Sequence, residues 1–327
     1  MLPVALDVMG GDFAPSATLE GARLAVDAGA DVIVVGPTEV LSGCGLRWVE
    51  ADQVIAMGED PLRAVRTKKR ASVVRAAELV RDGAASAVVG AGNTGATMSA
   101  ALLRIGRLRG VRRPAIATLV PAPRSDHETV LLDSGANAEC TSGMLVQFAA
   151  MGAAYARVRY GTARPRVALL NIGAEAGKGP ESVRAHRIAL AETAWQDAVC
   201  ATFEGNGEGR DLFEGTYDVV VTDGFTGNVA LKALEGATTT IVGALEDRLG
   251  SIPESLTDLA SRLDPDLQGG GVLLGLRGVG VIAHGASSPL AIARAVLFAR
   301  YLVSGGVVGE IGTALGTLVD GGGEHGG

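Results

Sequence analysis

The chain has 327 residues, 47% of them hydrophobic and 20% charged, long enough for a large core and a second module. That composition excludes collagen, coiled coil and wholesale disorder. With 29 basic against 36 acidic residues and a formal charge of -7, the balance has the wrong sign for a protein that wraps nucleic acid, so no nucleic-acid partner is expected.

The first residues, Met1-Leu2-Pro3-Val4-Ala5-Leu6-Asp7, lack a basic region and meet an acid before any export signal could form. Short aliphatic runs follow, alternating with amphipathic segments of helical length, with glycine at nearly every transition. Strands are predicted over 4–9, 32–35, 87–90, 115–120, 130–133, 167–172, 201–204, 218–222 and 279–283. Helices are predicted over 17–28, 72–81, 94–105, 142–157, 181–195, 227–249 and 289–304. The alternation predicts an α/β fold, a doubly wound, mostly parallel sheet with helices on both faces.

Residues 1–237 and 272–320 read as one catalytic domain. Residues 238–271 break the rhythm with two helical patterns and no strand, an inserted helical hairpin that either meets a partner subunit or membrane or folds back on its own core. Residues 321–327 read as a flexible tail, which makes His325 a poor candidate for chemistry. The apolar stretch 272–283 carries Arg277 and falls short of the roughly 20 residues needed to cross a bilayer. Three cysteines, Cys44, Cys140 and Cys200, are an odd number in a long chain, which fits a reducing cytoplasm and small buried side chains.

Glycine makes up 47 residues, roughly twice the usual share, and the functional signals lie in glycine loops. Gly90-Ala91-Gly92-Asn93-Thr94-Gly95 satisfies a dinucleotide pattern formally, but no acid stands between Asp82 and Asp126 to hold a ribose. The loop recurs as Val220-Val221-Thr222-Asp223-Gly224-Phe225-Thr226-Gly227, both copies reading V-V-x-x-G-x-T-G, with the threonine placed to cap the next helix. Two further loops follow strands, one from Asn171 to Gly179 around Lys178 and one from Ala283 to Pro289 with His284 and Ser287. Parallel strands would gather these loops at one carboxyl edge, where bare N–H groups suit an anion.

Lysine is scarce, four residues in all, so Lys178 inside a glycine loop reads as an anion or oxyanion partner; the spacing and Gly179 reject a nucleotide P-loop. Lys232 either touches ligand or decorates a helix surface. Asp133, ahead of Ser134-Gly135-Ala136-Asn137, either orients a reacting group or caps the next helix. His284 reads as a core histidine or as a general acid. No metal-ligand spacing appears, so neither metal nor cofactor is expected.

Leu6 to Pro15, Ala91 to Gly95, Asp133 to Asn137, Gln147 to Gly152, Phe203 to Arg210 and Asp223 to Asn228 together resemble bacterial PlsX, the phosphate acyltransferase family of phospholipid synthesis. The resemblance implies a fold similar to isocitrate and isopropylmalate dehydrogenases, usually dimeric. It also implies transfer of a long-chain fatty acyl group from acyl carrier protein to inorganic phosphate, giving acyl phosphate for a membrane glycerol-phosphate acyltransferase. The implied location is the cytoplasm, with peripheral attachment to the inner membrane face left open. Gly173-Ala174-Glu175 departs from the family, which tends to carry consecutive acids there, and 269–275 lacks a proline common in it.

On this reading Lys178 and His284 serve the oxyanion or the leaving thiolate, and Asp133 and Asp223 orient them. Gly92, Asn93, Thr94 and Gly95, with Phe225, Thr226, Gly227 and Asn228, hold phosphate; Asn137, Asn206, Lys232 and Ser287 complete the substrate contacts. Basic stretches at Arg104, Arg107, Arg109, Arg112 and Arg113, or at Arg63, Arg66, Lys68, Lys69 and Arg70, either dock the acidic carrier or are solvated faces. The competing readings are a short-chain phosphate acyltransferase using acyl-CoA and a non-catalytic anion- or acyl-binding protein.

Overall fold

Strands that read Val-Ala-Leu-Asp, Ala-Val-Val-Gly and Val-Gly-Val-Ile are buried at every position, the mark of a parallel sheet covered on both faces. The computed structural model describes residues 1–264 and 269–321, and the tail 322–327 lies outside them. Contacts divide the described residues into two compact units, one within Met1–Leu108 and Asp266–Val308, the other within Arg109–Pro265 and Gly309–Gly327.

The first unit holds β1 (Val4–Asp7), β2 (Val32–Gly36), β3 (Arg47–Glu50), β4 (Ala87–Gly90), β10 (Gly271–Leu274) and β11 (Val279–Ile282). Their order is β3-β2-β1-β4-β11-β10, parallel except for β10. Helix α1 (Ser16–Asp27) packs with α12 (Pro289–Ser304), and α4 (Ser72–Arg81) with α5 (Thr94–Arg104). Both pairs lie on β1 or β4 without touching each other broadly, so the sheet is covered on both faces. Short α2 (Thr38–Leu41) and α3 (Pro61–Thr67) fill the connections.

The second unit holds β5 (Ala115–Val120), β6 (Thr129–Leu132), β7 (Arg166–Leu170), β8 (Thr202–Gly207) and β9 (Val219–Val221) in the order β5-β6-β9-β7-β8. Here β6, β9, β7 and β8 are parallel and β5 is antiparallel to β6. Val120, Leu131, Leu212, Val220 and Leu231 form a buried cluster in this unit. Helix α6 (Ser142–Tyr160) lies on β6, β7 and β9 and buries Ala149, Ala150, Ala153, Ala154 and Ala156, small side chains that let helix and sheet approach closely in a chain poor in aromatics.

The helix predicted over 181–195 is two, α7 (Glu181–Ala191) and α8 (Trp195–Val199); the Trp195 indole donates to Leu190 O at 2.6 Å and turns the chain inward. A short α9 (Asp211–Glu214) precedes β9. The long α10 (Gly224–Leu249) starts three residues before its predicted position and ends at Gly250, whose φ of 77° suits a left-handed C-cap. After Pro253 comes α11 (Glu254–Leu263), and Arg262 donates to Ser125 O at 3.0 Å and Ala122 O at 3.2 Å, tying the hairpin to the β5–β6 turn.

Sequence reading missed β3, an exposed edge strand rich in charge, and β10, whose apolar run had been weighed only as a membrane segment. It also missed the last helix, α13 (Val307–Gly321). Among the described residues no single helix is long and apolar enough to cross a membrane; only α12 and α13 taken together, across the break at Gly305-Gly306, reach that length and apolarity.

Candidate active site

In the second unit the loops after β6, β9 and β7, and the end of β8, leave the same edge because those four strands run parallel. The Asp133 loop is the rigid part. Asp133 is fully buried, and its carboxylate accepts from Ile116 N, Gly135 N and Ala136 N through Oδ1 and from Asn137 N and Nδ2 through Oδ2, at 2.8–3.2 Å. With five N–H donors around it, Asp133 organises the loop rather than facing a ligand. Asn137 in turn accepts from Gly224 N at 2.7 Å through its carbonyl, and Asn228 Nδ2 donates to Ser134 O at 3.1 Å, so the two loops are stitched together.

The repeated loops are capped differently from the expectation. Asp223, not Thr226, is the N-cap of α10: Oδ1 accepts from Thr226 N and Oδ2 from Thr226 Oγ1, both at 2.8 Å. In the first copy Asn93 caps α5 by accepting from Ala96 N at 3.0 Å, while its Nδ2 donates to Met57 O at 3.0 Å. Short Asx side chains two residues apart in the shared pattern thus start the two helices at different points. Phe225 is 68% exposed, an apolar face at the mouth of this N-terminus.

Lys178 lies in the turn after β7, 49% exposed, with Nζ 3.9 Å from Glu175 Oε1, an exposed pair worth little in stability. Its loop is held by Asn171 Nδ2 on Lys178 O at 3.1 Å and by Asn206 Nδ2 on Glu175 O at 2.8 Å. Asn206 is buried and its Oδ1 has no hydrogen-bond partner among the described residues, so this amide keeps an acceptor in reserve. Lys232 stands apart on the α10 surface, paired with Glu235 at 2.7 Å.

A cavity of about 500 Å³ adjoins the α10 N-terminus, lined by Ala138, Glu139 and Cys140, by Ser182, Val183 and His186 of α7, and by Asp223, Phe225 and Thr226. Burial, then the Asp133 carboxylate, pushes the Cys140 thiol up to about 12, so it stays protonated and is no nucleophile at neutral pH. Burial holds the His186 imidazole below its usual value, and the Asp223 carboxylate pulls it the other way.

In the first unit the loops after β1, β4 and β11 converge. A Cβ on Gly92 would stand 2.9 Å from Gly10 Cα, so glycine at both positions lets the backbones touch. Asp12 N donates to Gly285 O at 2.8 Å, bringing the His284 loop against them. His284 is half-buried, Ser287 buried, and Thr94 exposed at the first turn of α5. The sequence-derived residues therefore fall in two sets: Gly92, Asn93, Thr94, Gly95, His284 and Ser287 in the first unit, and Asp133, Asn137, Lys178, Asn206, Asp223, Phe225, Thr226, Gly227, Asn228 and Lys232 in the second.

Residues 2–309 match the family described as fatty acid synthesis protein. The phosphate acyltransferase of Desulforudis audaxviator is 44% identical over 337 residues, covering 98% of each chain. That of Thermobifida fusca is 44% identical over 94% of this chain and 89% of its own. The chain belongs to the fatty acid synthesis protein family. It is an acyltransferase, as the PlsX resemblance implied. In fold it is similar to a branched-chain phosphotransacylase from Enterococcus faecalis, with a TM-score of 0.58 at 18% identity over 92% of this chain and 99% of that one. A 4-hydroxythreonine-4-phosphate dehydrogenase from Klebsiella pneumoniae gives 0.54 at 16% over 93% and 100%. At such identities the likeness concerns the fold alone, which is the dehydrogenase-like, mostly parallel architecture expected.

Sequence reading of this acyltransferase passed over His186 and Ser142, whose side chains meet at 2.9 Å. The only available signal was the rarity of histidine, four in the chain, since the two residues are far apart in sequence.

Proposed function

We propose that this chain transfers a long-chain fatty acyl group from the thioester of acyl carrier protein to inorganic phosphate, releasing acyl phosphate for a membrane glycerol-phosphate acyltransferase. The observation that carries the reading is the second unit's parallel edge, which presents Lys178, the Asp133–Asn137 loop and the α10 N-terminus side by side with no reactive thiol among them. Phosphate titrates near neutrality, so its dianion attacks a thioester without a covalent intermediate. What the protein must supply is donors for two anions, the phosphate and the tetrahedral oxyanion.

Phosphate is assigned to the first turn of α10, Phe225, Thr226, Gly227 and Asn228, at the positive end of a 26-residue helix, where Thr226 N and Gly227 N already donate to Asp223, and the oxyanion to Lys178. The Asn93–Gly95 loop with His284 and Ser287 is assigned, in the first unit, to a second anion-binding cluster. Carrier docking falls to one of the two basic stretches, in which Arg104, Lys68 and Arg70 are paired with Glu78, Glu59 and Asp52. A cytoplasmic homodimer is the form proposed.

The test is phosphate-dependent thiol release from palmitoyl-acyl carrier protein, run beside palmitoyl-CoA and acetyl-CoA. Fast release from the carrier is expected, and Lys178→Ala should lower turnover about 10²–10³-fold, the usual loss for one oxyanion donor. Release from acetyl-CoA instead would favour the short-chain reading, and silence with all three would favour a binding protein.

A further inference from the structure

The cavity beside α10 is lined by Asp223, Phe225 and Thr226 and by His186, Ser182 and Val183 of α7. His186 Nδ1 is fixed 2.9 Å from Ser142 Oγ at the start of α6. With the ring hydrogen on Nδ1 donated to that oxygen, Nε2 keeps its lone pair, and Nε2 has no hydrogen-bond partner among the described residues. The titratable groups that share this cavity are Asp223 from α10 and Glu139 and Cys140 from the loop ahead of α6. Asp223 is held in place by Thr226, where its charge favours an imidazolium once one forms.

Thioester phosphorolysis moves a proton from one reactant to the other. The attacking ion is hydrogen phosphate; a phosphate oxygen forms a bond to the acyl carbon, the carbon–sulfur bond breaks with its electron pair on sulfur, and acyl phosphate leaves as a dianion. The proton of hydrogen phosphate ends on the thiol, so the reaction balances without any other reactant.

We propose that His186 carries this proton, Nε2 taking it from hydrogen phosphate at the α10 N-terminus during attack and delivering it to the departing sulfur. The proposal rests on the phosphate-acceptor reading above. Such a relay must start neutral, and the burial that lowers the imidazole's affinity for a proton keeps it so at neutral pH. The imidazolium is then a stronger acid than a thiol of pKa about 8.5, so the second transfer runs downhill. Ser142 acts as a positioning residue that fixes the orientation of the ring.

The experiment is the pH profile of phosphate-dependent thiol release by wild type, His186→Gln and Ser142→Ala over about pH 5 to 9. His186→Gln should lose about 10²–10⁴-fold in kcat with KM for phosphate within about threefold, and should lack the acid limb that the imidazole adds below phosphate's own ionisation. Ser142→Ala should lower kcat and displace that limb, which keeps the test open if the glutamine variant does not fold. Turnover of His186→Gln within about threefold of wild type with the same acid limb, or a Ser142→Ala profile that superimposes on wild type, overturns the relay while the transfer reading stands. A wild type that releases no thiol in the presence of phosphate overturns both.

Discussion

A Cβ at position 227 would lie 1.9 Å from the Asp133 carbonyl oxygen, so only glycine lets α10 begin against the Asp133 loop. Gly227→Ala should force the two loops apart and cost about 1–3 kcal/mol, read as a lower urea midpoint. Gly236 in the same helix has open space around it, and Gly236→Ala should instead stabilise by about 0.5–1 kcal/mol. Equal midpoints for the two variants would reject the steric argument. Asp7 shows a different constraint. Burial raises its carboxyl above the usual value, against hydrogen bonds from Ser72 and the Met9 amide. The folded chain therefore holds this proton at pH values where the unfolded chain has lost it. Asp7 thus subtracts from stability as pH climbs through and above the ordinary carboxylate range. Relative to wild type, Asp7→Asn should gain stability between about pH 4 and 7, and parallel pH dependences in urea melts would reject this.

At the scale of elements, the caps decide how the repeated loops work. Removing the Asp223 side chain strips α10 of its N-cap, and Asp223→Ala should cost about 0.5–2 kcal/mol. Asp223→Asn keeps an oxygen for Thr226 N and an amide that the Thr226 hydroxyl can accept, so it should cost only a few tenths. Urea melts of the pair separate capping from charge; an asparagine variant as unstable as alanine would reject the cap argument. The parallel strands and most helices were legible because aliphatic runs of four or five residues cannot be hidden, as in Ala87–Gly90 and Val32–Gly36. The Lys178, Asp133 and Asp223 loops were legible because glycine and Asx mark strand-to-helix turns. The edge strand Arg47–Glu50 was not, since an exposed strand carries no apolar alternation. Nor was the meeting of Ser142 and His186, which depends on how α6 and α7 pack rather than on any local pattern. The true caps were missed because Thr and Asx side chains compete for the same role, Asn93 beside Thr94 and Asp223 three residues ahead of Thr226.

For the molecule as a whole, the hairpin is the feature the catalytic loops do not explain. Ile241, Leu245 and Leu249 recur at every fourth position of α10, one stripe of a helix, and are 59%, 39% and 53% exposed. On α11, Leu256 and Leu259 are also exposed, at 36% and 40%. An apolar stripe left in water is a contact surface in waiting. Two occupants were expected, a second copy of the chain and a membrane. Glu246, Asp247, Glu254, Asp258 and Asp264 outnumber Arg248 and Arg262 on the same segment, which disfavours anionic lipid and favours the second copy of the homodimer proposed above. Arg262 already anchors the far helix to the β5–β6 turn, so the stripe is presented on a braced element. Ile241→Asp with Leu245→Asp should therefore halve the mass seen by light scattering after gel filtration. The urea midpoint of each folded unit should stay unchanged, because neither side chain is part of a core. A double variant of undiminished mass, or a wild type already monomeric at micromolar concentration, would remove the hairpin from the dimer and return the stripe to the membrane, where flotation with zwitterionic vesicles would show it.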